Sequence, residues 1–166
     1  MALRQIPYNR NIAAEYAIKW AMSRNPAYYN FDALGGDCTN FVSQCVYAAC
    51  LVMNYSPVSG WYYINANDRS PSWTGVEQFH SFLTSNTGTG PFGYDTHKND
   101  IQIGDVVQLG KSDGSFYHTL LVLNIIESEV YIAAHSSDSR MRPLTSYSYE
   151  RIRYTHIVGA RKYQRL

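Results

Sequence analysis

The sequence is short of cysteine, of net charge and of long apolar runs, and each shortage narrows what the chain can be. Three cysteines in 166 residues leave one unpaired under any pairing, and all three, Cys38, Cys45 and Cys50, fall in a stretch whose apolar spacing is helical. Neighbours seven and five residues apart on a helix stand about 10 and 7.5 Å apart along its axis, beyond disulfide reach. A disulfide framework is therefore excluded and reduced thiols are expected. Fourteen Lys plus Arg against thirteen Asp plus Glu leave a formal charge of +1, which supplies no bulk field for nucleic acid or an anionic membrane. No run approaches the roughly 20 apolar residues of a membrane span. The opening MALRQIPYNRN carries basic residues without a following apolar core, so the expectation is a cytoplasmic protein or an exported one without its leader.

What is present is enough apolar material for one domain over residues 1–166, with 45% hydrophobic and 16% charged residues. Such a chain can offset its ordering entropy by burial. Aromatics make up 14%, fifteen of them Tyr. A ring with a polar tip suits a half-wet groove as well as a half-buried packing position. Tyr28, Tyr29, Trp61, Tyr62 and Trp73 are candidates to line such a groove.

Residues 11–24, NIAAEYAIKWAMSR, repeat Ile12, Tyr16 and Trp20 with Ala13 and Ala17 at helical spacing and stop at Asn25-Pro26. Gly35-Gly36 then supplies a turn, Asp37 a possible N-cap, and CTNFVSQCVYAACLVM the most apolar helix, starting at Cys38 and expected to be buried on most sides. From Asn54 to Asp100 the chain is rich in Ser, Asn, Gly and Pro, which predicts irregular surface with one helix near Gly75–Leu83. Beyond it, IGDVVQLG, FYHTLLVLNII, EVYIAAH and RIRYTHIVGARK read as strands. Helices first and strands afterwards predict an α+β domain in which the helices pack on an antiparallel sheet. No repeat or low-complexity tract is present.

A thiolate is stabilised by the free N–H groups and positive dipole end of a helix N-terminus. Cys38 occupies that position and is the nucleophile candidate; Cys45 and Cys50 are expected to be packed. Of the five histidines, His80 and His97 fall in the polar middle and His156 on the last strand. His118 interrupts the most apolar strand and is the candidate base. A two-residue turn at Glu127-Ser128 pairs Ile126 with Glu129, places Leu120 opposite His135, and puts His135 on the face of His118, diagonally across. A three-residue turn would instead bring Asp138 opposite His118. Either residue could orient an imidazole.

The strings GGDCTNFVSQC, RNIAAEYAIKWAMSRNPAYYNF before it, and IQIGDVVQL, FYHTLLV and AAHSSDSRMRPL after it, resemble the "putative amidase domain" family. This is a bacterial branch of the papain-like cysteine hydrolases related to the NlpC/P60 and CHAP groups. The resemblance runs from Tyr8 to Arg161 and implies a papain-like, NlpC/P60-like fold with a Cys–His hydrolase site. It places the nucleophile at Cys38, the base at His118 and the orienting residue at His135, with Asp138 as the alternative. The implied reaction is attack of Cys38 on an amide carbonyl, proton transfer from His118 to the leaving amine, and release of the acyl group by water. The backbone N–H of Cys38 would meet the oxyanion, with Asn40 or Gln44 as polar candidates nearby. The implied partner is a peptide or glycopeptide substrate, a bacterial cell-wall peptide among the candidates, with no cofactor, metal, nucleic acid, membrane insertion or obligate protein partner. Other chemistries open to the same residues are acyl transfer to an amine, peptide or glycan binding without turnover, and a structural zinc on Cys38, His118 and His135.

Overall fold

The computed structural model describes residues 1–166 and is α+β, with helices on one face of an antiparallel sheet. Strand β1 (Ala2–Ile6) precedes helix α1 (Arg10–Trp20), which Asn9 caps by accepting the Ile12 N–H. Helix α2 is Cys38–Cys50. A small hairpin, β2 (Tyr63–Asn65) and β3 (Asp68–Arg69), leads through the single turn α3 (Pro71–Thr74) into α4 (Val76–Ser85). Strands β4 (Gly90–Thr96), β5 (Val106–Gly110), β6 (Phe116–Ile126), β7 (Glu129–Ala134), β8 (Ser139–Pro143) and β9 (Arg151–Gln164) complete the chain. The sheet runs β1-β9-β5-β6-β7-β8, and β4 also pairs with the long β9.

Helix α2 is the centre of the molecule because eleven of its thirteen residues are buried, polar ones included. Against it α1 presents Ala13, Ala14 and Ala17, while Ile12 is exposed and Tyr16 and Trp20 are half-buried. The contact face is therefore the small-residue stripe, which lets two helix backbones approach closely, and the large residues flank it.

Strand β6 is covered on both sides, which accounts for its unbroken apolar run. Leu121 and Leu123 join the core under the helices, whereas Leu120 and Val122 join a second cluster on the opposite face with Val107, Leu109, Ile132 and Leu144. His118 has the parity of the second set and lies across from Leu109. Thr119 points to the helices, where its hydroxyl meets that of Thr39 at 2.8 Å. The buried carboxylate of Asp105 fastens the layers at the other end. It accepts Arg10 at 2.7 Å, His156 Nδ1 at 2.9 Å, and the backbone amides of Ile157 and Gln102 at 3.0 and 2.9 Å.

Two of the expected groove aromatics are instead core. Trp61 and Trp73 are fully buried with ring centroids 4.7 Å apart, and their indole N–H groups donate to Ser43 and Asn40.

Candidate active site

The β6–β7 hairpin sets the side-chain arrangement. Of the two turns the sequence leaves open, the two-residue one forms: Glu127 and Ser128 both have positive φ, 49° and 69°, as a primed hairpin turn requires, and Ile126 pairs with Glu129. Between Val122 and Asn124 the register then shifts by one residue, so that Leu121 faces Ala133. A bulge of one residue exchanges the faces of everything beyond it. His135 consequently falls on the helix side of the sheet, and His118 stays on the other.

His135 is 1% exposed and stacks on Phe41 with ring centroids 4.0 Å apart. Its Nδ1 lies 2.5 Å from Asp37 Oδ2 and its Nε2 2.8 Å from the Trp20 carbonyl oxygen. Both ring nitrogens are thus engaged by oxygens of Asp37 and Trp20, which leaves neither free for a bond to His118. The expectation that His135 orients His118 is therefore replaced by a bond to Asp37. Asp138, the alternative, is also engaged: its two carboxylate oxygens receive the Arg24 guanidinium, each at 2.9 Å.

Asp37 is a hub and not the helix cap that its position suggested. Its side chain makes no capping bond to α2. It accepts the Phe31 amide at 2.8 Å, Asn40 Nδ2 at 2.9 Å and His135, with Arg24 Nε 3.4 Å away. Burial alone would push this carboxyl up, but the bonds from His135, Phe31 and Asn40 outweigh it and hold it below its ordinary 3.8. The amide of Asp37 meanwhile donates to Ser136 Oγ at 3.3 Å. The segment 32–37 and the β7–β8 turn are thus clamped together by Asp37 with His135, Asp37 with Ser136, and Arg24 with Asp32 and Asp138. Within that segment Gly35 and Gly36 have φ of 91° and 105°, conformations open to glycine at little cost.

The clamp ends at Cys38, the first residue of α2, 7% exposed. Cys38 and His118 line one cavity of about 470 Å³ together with Gly35, Gly36, Leu109, Tyr117, Ser136, Ser137, Arg142 and Tyr147. Neither Asn40 nor Gln44 lines it. Asn40 bonds Tyr29 O, Asp37 and Trp73, and Gln44 accepts the Tyr16 hydroxyl at 2.6 Å. The aromatic walls are Tyr117 and Tyr147, not Tyr28, Tyr29 or Tyr62. Cys45 and Cys50 are packed in the core, where burial pushes both thiols up, Cys50 to about 11. His80 bonds Asp95 at 2.7 Å, His97 is exposed, and no cluster of three or more His, Cys, Asp or Glu side chains is arranged to hold a metal.

The helix N-terminus does not leave Cys38 acidic. Burial pushes its thiol above the ordinary 9.0, and the N–H of Thr119 and the Thr39 hydroxyl only partly offset this. Burial, with the Arg142 guanidinium adding to it, pushes His118 down to about 4. Both shifts favour the uncharged forms near neutral pH, a thiol at Cys38 and a neutral imidazole at His118.

A family model described as "putative amidase domain" matches residues 7–158, a span that contains every group of this site. The chain belongs to that family. Among its relatives are two uncharacterized proteins of Bacillus subtilis (strain 168). YhbB is 35% identical over 152 residues, 89% of this chain and 46% of the relative, and YjcM is 24% identical over 139 residues, 79% and 31% respectively. The chain thus spans less than half the length of either. No solved structure matches it.

In this amidase-family chain the depressed His118 makes stability pH-dependent. A histidine whose folded value is about 4 against an ordinary 6.5 contributes fully above 6.5, and that contribution is lost as pH falls from 6.5 to 4. The loss is about 3 kcal/mol. Urea unfolding near neutrality and near pH 4 should therefore show a larger drop for the wild type than for His118→Leu. Equal drops would mean that the ring is solvated.

Proposed function

We propose that the cavity is the active site of a cysteine amidase that cleaves a peptide-type amide. The proposal is carried by one observation: the only cysteine at a helix N-terminus and a histidine with no protein partner on its ring share a single cavity. The papain-like relationship implied by the sequence motifs fits this order of nucleophile helix followed by base strand.

Because the resting pair is neutral, His118 acts as base at the moment of attack. It takes the Sγ proton as sulfur bonds to the carbonyl carbon, then returns that proton to the departing nitrogen as the C–N bond breaks. Water, deprotonated by the same ring, releases the acid and restores the thiol. The developing oxyanion is met by the N–H of Cys38, which as first helical residue has no acceptor within α2. The Asp37–His135 pair does not touch the reacting atoms. It is a positioning element that fixes the backbone from which Cys38 projects.

Limiting iodoacetamide followed by peptide mass spectrometry tests the site: Cys38 should be labelled while Cys45 and Cys50 are spared. Its rate should still be climbing above pH 9, as a buried thiol requires. Equal labelling of the three cysteines would remove the basis for the proposal, and a rate already level at neutral pH would replace the neutral pair by an ion pair.

A further inference from the structure

We infer that Arg142 makes this cavity a carboxylate site, so that the substrate's leaving amine carries a carboxylate, as in an N-acylated amino acid or the C-terminal residue of a peptide. The inference rests on the reading of Cys38 and His118 as the hydrolytic pair and adds the substrate class.

Among the ten residues lining the cavity, Arg142 is the only one with a formal charge, and no carboxylate lies within ion-pair distance of it. Arg10, Arg24 and Arg153 each have an acidic partner, whereas the cation of this cavity has none. Its side chain is held. Nε donates to Ser146 Oγ at 2.8 Å, Nη2 to Ser146 O at 3.3 Å, and the guanidinium carbon lies 3.6 Å from the centre of the Tyr147 ring. That leaves Nη1 without a protein acceptor on a planar fork that is already oriented, the geometry that recognises carboxylates. Arg142 also stands on the His118 side of the cavity, since Tyr147 bridges the two, with ring centroids 5.9 Å apart for Tyr147 and His118. His118 gives its proton to the leaving amine, so the group nearest Arg142 belongs to the amine half of the substrate.

The placement has a catalytic consequence. The positive charge of Arg142 opposes protonation of His118. A carboxylate docked on the guanidinium cancels that field and removes the smaller of the two causes that depress the ring, making it a somewhat stronger base while substrate is bound. An amide without the carboxylate meets an imidazole that accepts the thiol proton poorly, so the same residue serves binding and selection.

Two reagents of one size, one anionic and one neutral, test this without a known substrate. Iodoacetate and iodoacetamide both alkylate Sγ with loss of iodide, and the ratio of their rates at Cys38, at one mildly alkaline pH, cancels general changes in thiol reactivity. Relative to free cysteine, the wild-type ratio should favour iodoacetate. Arg142→Gln should lower it about tenfold or more, as loss of a charged hydrogen bond implies, and Arg142→Lys should lower it less. In parallel, N-acetyl-alanyl-alanine and its C-terminal amide are titrated by NMR into Cys38→Ala. The free acid should bind more tightly, and Arg142→Gln should abolish the difference. A rate ratio and a binding preference both indifferent to Arg142 overturn the carboxylate site while leaving the Cys38 reading intact. An inert Cys38 with an Arg142-dependent preference for the acid does the reverse.

Discussion

Cys38→Ala and His118→Ala should each lower hydrolysis of an N-acyl peptide by roughly ten-thousand-fold or more, and the double variant should be hardly worse than either. The two groups act in one proton transfer, so removing one already removes the route by which sulfur attacks and nitrogen departs. What survives is the contribution of the Cys38 backbone N–H and of substrate binding, neither of which a side-chain truncation touches. The comparison that gives the result meaning is with Cys45→Ala and Cys50→Ala. Both thiols are packed in the core, so truncation should cost about 1 kcal/mol in urea unfolding and leave turnover per folded molecule unchanged. Steady-state kcat/KM on all five proteins, each with near-ultraviolet circular dichroism as a check of packing, decides the matter. A Cys38→Ala protein that keeps activity would move the chemistry elsewhere in the molecule.

Those parts of the site that depend on local pattern were legible in the sequence. Glycines before a helix whose first residue is Cys38 and a histidine interrupting the most apolar strand follow from spacing and residue type, and the turn is narrowed to two lengths near Glu127-Ser128. Parts decided by long-range pairing were not. The bulge at Leu123 leaves no mark, because Val122, Leu123 and Asn124 read as an ordinary continuation of β6. That single residue moves His135 from the face of His118 to the face of Phe41. Asp37 looked like a cap because caps are the commonest use of Asp before a helix. Its actual partners, Phe31, Asn40 and His135, include one 98 positions away. Burial of α2 on most sides follows from its apolar pattern, but its corollary is that Asn40, Ser43 and Gln44 find partners inside the fold, away from the cavity. Strands β1 and β4 carry no strand pattern for a related reason. Their sequences, ALRQI and GPFGYDT, are polar or broken by Gly and Pro, and they exist as strands because β9 offers fourteen residues to pair with. Arg142 lies on a strand segment, SRMRP, that pattern alone leaves featureless, and only the folded cavity gives its charge a role.

The clamp behind Cys38 should be worth more to stability than any single apolar residue around it. Asp37→Ala leaves the buried ring of His135 without its carboxylate partner, and His135→Ala leaves a buried carboxylate without its strongest partner; each should cost about 3–5 kcal/mol. Because one partner's loss strands the other, the double variant Asp37→Ala with His135→Ala should be less destabilised than the sum, with a coupling of about 1–3 kcal/mol. The pH dependence separates this pair from His118. The Asp37 carboxyl is held below its ordinary 3.8, so its contribution is complete above that value and is lost as pH falls through the lower folded one. The His118 contribution has disappeared by about pH 4. Acid unfolding of the wild type should accordingly show one loss between pH 6.5 and 4, missing in His118→Leu, and a second below it, missing in Asp37→Asn. The catalytic readout distinguishes a positioning clamp from an orienting triad member. If His135 served His118 directly, His135→Gln would depress kcat in protein of nearly normal stability. With the bonds seen here, stability falls first, and turnover per folded molecule falls only as far as the N-terminus of α2 loosens and Cys38 drifts from His118.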